Sequence, residues 1–257
     1  MIERVAQGKT LAEAYHMALF KLYQCGVKSP CEDYNTTQRE VSMTMQVLEP
    51  LAEPMISRMF PGGPYELEQY RQELLDGILD FEIEKGKWAY TYHDRIVNQL
   101  PFIYEELRRN PSSRRAVIVV RDWEVDSQST DPACLQHIQY FVRDGELHCK
   151  VLFRSNDAVK ATFMNAFGLI MLQKRIADEL GYKMGTYTHR ANSFHVYAKD
   201  EPVLKGYYDR MIDADCKMPW LTLDRDELCF NYAGEWDELM EAMQPAIAAQ
   251  VEELKTH

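Results

Sequence analysis

No stretch of this sequence is apolar for long enough to cross a bilayer, positive charge is in deficit, and the cysteines show no paired spacing. Each absence removes a class of protein. A spanning helix needs about 20 consecutive apolar residues. The segment from Met1 to Tyr23 instead alternates apolar and polar residues, with Glu, Arg and Lys among them, so neither a leader peptide nor a membrane partner is expected. With 29 Lys and Arg against 40 Asp and Glu, the formal net charge is −11. That is the opposite of the basic face that grips a nucleic-acid backbone, so no nucleic acid is expected as a partner. A small anion stays possible, because a few arginines at one pocket can hold a phosphate on an acidic protein.

The six cysteines (Cys25, Cys31, Cys134, Cys149, Cys216, Cys229) include no CxxC pair. Reduced thiols in a cytoplasmic protein are expected, with no metal site. No repeat, low-complexity tract or linker divides the 257 residues, and 46% of them are apolar. One mixed α/β domain over 1–257 is the expectation.

What is present follows two periods. Leu11, Ala14, Tyr15, Ala18 and Leu22 share a face at helical spacing over 10–23. Residues 28–38 read as a polar, turn-rich stretch. Val41, Met43, Met45 and Val47 alternate as a half-buried strand does. Helices are expected over 65–78 and 98–109, with a Pro-Gly-Gly-Pro loop at 61–64. Strands are expected over 115–120, 136–142 and 146–153, the last two joined by a turn at Asp144-Gly145. Residues 161–180 read as a buried helix and 185–197 as a strand. A C-terminal helix over 236–254 should bend or break at Pro245.

A lone cysteine is more often packing than chemistry. Cys134 differs in ending a polar turn, Ser127 to Ala133, just before an expected strand, where a thiol can face a cleft. Gln139 follows it by five residues. Around it stand Ser113-Arg114-Arg115 leading into a strand, Arg154-Ser155-Asn156-Asp157, Asn165 eleven residues after Arg154, and His195-Val196-Tyr197. In this order and spacing these elements resemble the thymidylate synthase family, which also contains the pyrimidine nucleotide hydroxymethylases. Lys87 to Arg95 is similar to a further family segment, with His93 where glycine is usual. The resemblance is strongest over 88–197 and nearest to the short archaeal-type synthases.

The resemblance implies an α+β fold: a large mixed β-sheet with helices packed on it and a sheet face used for homodimerisation. It implies an enzyme that converts dUMP and 5,10-methylenetetrahydrofolate to dTMP and dihydrofolate. Cys134 would add to C6 of the base, making C5 nucleophilic, which is covalent catalysis of a hard step by two easier ones. Arg154 would sit near the sulfur, favour the thiolate and bind the phosphate with Ser155 and, across the dimer interface, Arg114 and Arg115. Asn165 would read the base through its amide, and asparagine there rather than aspartate favours uracil over cytosine. His195 and Tyr197 would hold the sugar 3′-hydroxyl, and Gln139 would support the base-binding network. Asp157, counted among the catalytic residues, would contact the base or the folate, Trp88 would face the folate, and Tyr92 the C5 proton.

The family also uses a phosphate arginine from an N-terminal loop, for which Arg39 is the candidate. Its catalytic glutamate is assigned to Glu53, with Glu68 and Glu73 as helix-surface alternatives. An apolar C-terminal segment closes the folate site in the family, whereas this sequence ends Glu-Glu-Leu-Lys-Thr-His257. Water capture of the intermediate on (d)UMP or (d)CMP, giving a hydroxymethyl product, is therefore the alternative outcome. A non-catalytic nucleotide-binding relative is the other reading. Retention of Cys134 counts against it, because binding alone needs no thiolate.

Overall fold

Parallel and antiparallel pairings mix in one seven-stranded sheet. The computed structural model describes residues 1–212 and 228–256. Cys216 lies outside the described residues. The strands are β1 (Glu3–Gly8), β2 (Val27–Cys31), β3 (Thr36–Val47), β5 (Val117–Val119), β6 (Leu135–Arg143), β7 (Glu146–Asp157) and β8 (Lys183–Tyr197), in the order β1-β3-β8-β7-β6-β5, with β2 also paired to β3. Two short strands, β4 (Ile56–Ser57) and β9 (Cys229–Phe230), pair apart from it. The helices are α1 (Leu11–Cys25), α2 (Pro64–Asp76), α3 (Phe81–Glu84), α4 (Tyr92–Val97), α5 (Leu100–Arg109) and α6 (Trp123–Asp126). They continue as α7 (Thr162–Leu180), α8 (Glu201–Met211), α9 (Asp237–Ala242) and α10 (Gln244–Thr256).

Local chemistry explains much of this. Thr10 caps α1 through a capping box with Glu13, satisfying backbone N–H groups that the first turn leaves free. Asp144 and Gly145 both have positive φ, 52° and 79°, the hairpin geometry their sequence favours. The parallel pair β7 and β8 needs a crossover, and α7 supplies it. Val41, Met43, Met45 and Val47 of β3 are buried beneath α1 and α7, together with Val151 and Phe153 of β7 and Tyr187 of β8. The buried Tyr15 hydroxyl ties α1 to the start of the α7 crossover by donating to the Ala158 carbonyl at 2.8 Å. On the other face, His137, Gln139, Lys150, Thr188 and Arg190 are half-buried or exposed.

Several expectations shift. The turn-rich 28–38 stretch contains β2, paired antiparallel to β3, and one 3-10 turn at Glu32–Tyr34. The N-terminal alternation is the strand β1, parallel to β3. The C-terminal helix breaks at Met243, and Pro245 sits in the first turn of α10, where its missing N–H costs nothing. Helix α2 stops at Gly77, whose φ of 66° an L side chain would resist; a Cβ there would also strike the His93 ring, which bonds Asp80 at 2.6 Å. Among the described residues no helix is long and apolar enough to cross a membrane.

Candidate active site

Cys134 stands where the loop after α6 turns into β6, and the loop is held from β7. The Arg154 N–H donates to the Cys134 carbonyl at 2.8 Å, its Nε to the Ala133 carbonyl at 3.2 Å and its Nη2 to the Pro132 carbonyl at 2.6 Å. Nη1 has no protein partner among the described residues. On the other side the Leu135 N–H donates to the Tyr92 hydroxyl at 3.3 Å. Burial pushes the Cys134 thiol up from its ordinary value; Arg154 pulls it back down and Asp131 adds to the rise. The expected cation is in place, and burial outweighs it in the ligand-free chain. Tyr90 is pushed up to about 12, chiefly by burial and then by the Cys134 charge, and Tyr92 rises further for the same two reasons.

The parallel register of β7 and β8 sets Ser155 opposite Ser193 and Asp157 opposite His195. Ser155 Oγ lies 3.3 Å from His195 Nδ1, and the His195 and Tyr197 rings meet edge-on at 4.8 Å. His195 is buried, yet its Nε2 has no partner among the described residues. A buried polar atom left open calls for a partner, which an ordered water or a bound group can supply. Tyr197 is raised by burial, with Tyr34, Cys31, Asp157 and Cys134 adding to it in that order. Asp157 Oδ1 accepts from the backbone N–H groups of Val159 and Lys160, each at 2.9 Å, fixing the turn into α7. One turn into α7, Asn165 is 7% exposed and accepts at Oδ1 from the Tyr70 hydroxyl. Asn156, beside these residues, is held from behind by His189 Nε2 at 2.9 Å and Thr162 Oγ1 at 2.8 Å.

Next to Cys134 opens a cleft of about 520 Å³ lined by Tyr70, Glu73, Trp88, Tyr90, Tyr92 and Asp131, among others. Trp88 is 43% exposed at its wall. Glu73 faces this cleft from α2; burial pushes its carboxyl above the ordinary value, against a 2.8 Å hydrogen bond from Gln69 Nε2. A larger groove of about 840 Å³ lies between α2, α5, α7 and α9. Apart from Glu68 it holds none of the candidate residues, and its lining mixes Arg71, Lys174 and Arg175 with Asp178 and Glu241. Size alone would have chosen the wrong cavity.

Other candidates are not brought to Cys134. Glu53 accepts from the backbone N–H groups of Met55 (2.8 Å), Tyr232 (2.9 Å) and Ala233 (2.9 Å), and lines a separate groove with Phe230 and Trp236. Glu68 is occupied by Arg71, Gln72 and Gln244. Arg39 is spent on Glu201 at 3.1 Å and on the Gly26 carbonyl at 3.1 Å. Gln139 lies on the face of β6 opposite buried Ile138 and Tyr140, its Nε2 donating to the Arg114 carbonyl at 3.0 Å. Arg114 and Arg115 are exposed, and their side chains make no hydrogen bond or salt bridge among the described residues. Sequence reasoning missed Tyr70 and Tyr90, and left Glu73 as a helix-surface residue. Tyr70 and Glu73 stand three residues apart on α2, which places them on one helix face, but only the packing of α2 on α7 says which face is the cleft.

The thymidylate synthase family model matches residues 67–240. Two archaeal proteins described as "Putative thymidylate synthase" are similar over most of their length. The one from Methanocaldococcus jannaschii is 32% identical over 208 residues, 77% of this chain and 93% of that protein. The one from Methanosarcina barkeri is 30% identical over 211 residues, covering 80% and 96%. The solved structure of thermostable thymidylate synthase A from Bacillus subtilis superposes with a TM-score of 0.65 at 18% identity, covering 87% of this chain and 95% of that one, a likeness of fold. With the family match spanning both the Cys134 loop and the Arg154–Asn165 segment, the chain belongs to the thymidylate synthase family.

Proposed function

We propose that this chain is a thymidylate synthase, converting dUMP and 5,10-methylenetetrahydrofolate to dTMP and dihydrofolate. The observation that carries the reading is that Arg154 holds the Cys134 loop beside a cleft lined by Tyr70 and Tyr92, with Asn165 bonded to that Tyr70 and His195 set against Ser155, the neighbour of Arg154. Cys134 supplies the thiolate that bonds to C6 and is expelled when the product forms. Arg154 keeps Nη1 free for the phosphate while its other nitrogens hold the Cys134 loop, so one side chain positions the nucleophile and the substrate together. Ser155 adds a hydroxyl to the same phosphate. His195 Nε2, open and buried beside Tyr197, suits a sugar hydroxyl. Asn165 reads the uracil edge.

Methylenetetrahydrofolate supplies the one-carbon unit and the hydride that reduces it to a methyl group. A flat, partly apolar pterin fits a cleft of about 520 Å³ walled by Trp88, Tyr90, Leu74 and Leu79. Asp157 stands at the turn into α7. Of the three candidate glutamates, Glu73 and not Glu53 faces this space, and with Tyr92 it is assigned the removal of the C5 proton. Water capture to a hydroxymethyl product finds no support in the relatives described above. Mass spectrometry of the nucleotide after turnover separates the two outcomes: thymidylate is expected, and a hydroxymethyl product would overturn the assignment.

The functional unit is a homodimer built on the sheet face that carries Gln139, Lys150 and Arg190. Arg114 and Arg115, whose side chains make no hydrogen bond or salt bridge among the described residues, reach the phosphate of the other protomer. The continuous core from Ala6 to Met240 supports treating 1–257 as one domain. The five described cysteines are free thiols, in keeping with a cytoplasmic enzyme.

A further inference from the structure

Asn165 presents an amide, and an amide can be turned over. One way round, Nδ2 donates where uracil has O4 and Oδ1 accepts where uracil has N3–H. The other way round, the same group matches the amino group and bare N3 of cytosine. With the ring pose fixed by the bond to Cys134 and by the phosphate, the base accepted depends on which way Asn165 is held. Asparagine at this position does not decide that by itself.

The structure supplies a hold. The Tyr70 hydroxyl donates to Asn165 Oδ1, and among the described residues it has no other protein partner. Turning the amide over would make the hydroxyl oxygen accept from Nδ2 and leave the phenolic proton without a protein acceptor in a half-buried place. That proton is firmly retained, because burial raises Tyr70 well above the ordinary phenol value, with Tyr92, Glu73 and Tyr90 adding to the rise. Oδ1 keeps a second lone pair for N3–H, and both Nδ2 hydrogens stay available for O4.

The seat for Tyr70 is built into the facing helix. Gly168 follows Asn165 by three residues on α7. A Cβ there would stand 3.0 Å and 3.2 Å from two carbons of the Tyr70 ring and 2.9 Å from Leu74. The absent side chain lets the ring lie close against α7, with its hydroxyl at Asn165. Glycine in a helix interior gives up helix propensity relative to alanine, so this gap is a costly feature to carry.

We infer that Tyr70 is a specificity-determining residue that locks the Asn165 amide in the orientation that pairs with uracil and rejects the 4-amino base. This rests on the reading of Asn165 as the base-contacting residue given above. The test is titration calorimetry of dUMP and dCMP on the wild-type enzyme and on Tyr70→Phe, Gly168→Ala and Asn165→Ala, with no turnover required. Tyr70→Phe keeps the ring and its packing but removes the hydroxyl. It should narrow the dUMP-to-dCMP affinity ratio by about tenfold or more, mostly through tighter dCMP binding. Gly168→Ala, which displaces the ring, should narrow the ratio in the same direction. An unmoved ratio in Tyr70→Phe, with Asn165→Ala still losing dUMP affinity, overturns the lock and leaves the base reading standing. If Asn165→Ala binds dUMP as the wild type does, the base reading itself fails. A fall in turnover of Tyr70→Phe with the ratio unchanged would place Tyr70 in proton transfer instead, and the inference is lost.

Discussion

Glu73→Gln keeps the size of the side chain and the hydrogen-bonding oxygen that faces Gln69, but removes the group that can take a proton. Positioned acid–base groups contribute about 10²- to 10⁴-fold to rate. The structure favours the middle of that range or above, because Glu73 faces the cleft beside Tyr92 and burial has already raised its carboxyl toward working pH. The expected loss in kcat is therefore about 10³-fold, with nucleotide affinity nearly unchanged. The ionised form is the one that removes the C5 proton. In the wild type, activity should fall as pH drops through the raised value, so the acid limb stands above the ordinary carboxyl value of about 4.5. In Glu73→Gln that limb should disappear. The assay is tritium release from [5-³H]dUMP across a pH series, and Glu53→Gln is the control. Glu53 holds the backbone of Met55, Tyr232 and Ala233, so Glu53→Gln should lower unfolding free energy by about 1–3 kcal/mol with kcat close to wild type. Wild-type release by Glu73→Gln, or a kcat collapse in a stable Glu53→Gln, refutes the assignment of roles.

Arg154→Gln should slow adduct formation and move its pH dependence upward. The Arg154 charge opposes the burial that raises the Cys134 thiol, so without it the thiolate appears only at higher pH; stopped-flow rates from pH 6 to 10 measure this. His16 and His189 are fully buried, and burial holds each at about 3. The unfolded chain takes up those protons near 6.5, so stability present at pH 7 is lost as pH falls below that value, by about 2 kcal/mol per histidine at pH 5. Urea unfolding at the two pH values should show the loss, and His189→Gln should shrink it by about half. Mixing inactive Arg115→Ala with inactive Cys134→Ala should restore part of the activity through hybrid dimers, whereas no recovery in a confirmed dimer would remove Arg115 from the shared site.

What the sequence makes legible is what short-range patterns encode. The alternation of Val41, Met43, Met45 and Val47, the Asp144-Gly145 turn and the long apolar α7 each carry their structure locally. Strand β2 does not: Val27–Cys31 contains Ser29 and Pro30 and reads as a turn, and it becomes a strand only because β3 offers it an edge. The site divides the same way. Cys134, Arg154, Asn165 and His195 are readable because motif spacing is a sequence property. Which of Glu53, Glu68 and Glu73 meets the cleft is not. All three sit in polar or helical stretches, and packing alone sends one to backbone amides, one to an arginine and one to the cavity. Gln139 shows the limit of spacing from the other side: it holds the required interval from Cys134, yet the pleat of β6 places it on the opposite face from Ile138 and Tyr140.

The nucleophile can be tested with one mass measurement. Wild-type enzyme incubated with 5-fluoro-dUMP and methylenetetrahydrofolate should gain the mass of both molecules, and peptide mapping should place the nucleotide on Cys134. Cys134→Ser should gain nothing while keeping its fold. An adduct that survives in Cys134→Ser, or one mapped in the wild type to another of the cysteines, would contradict the account at its centre.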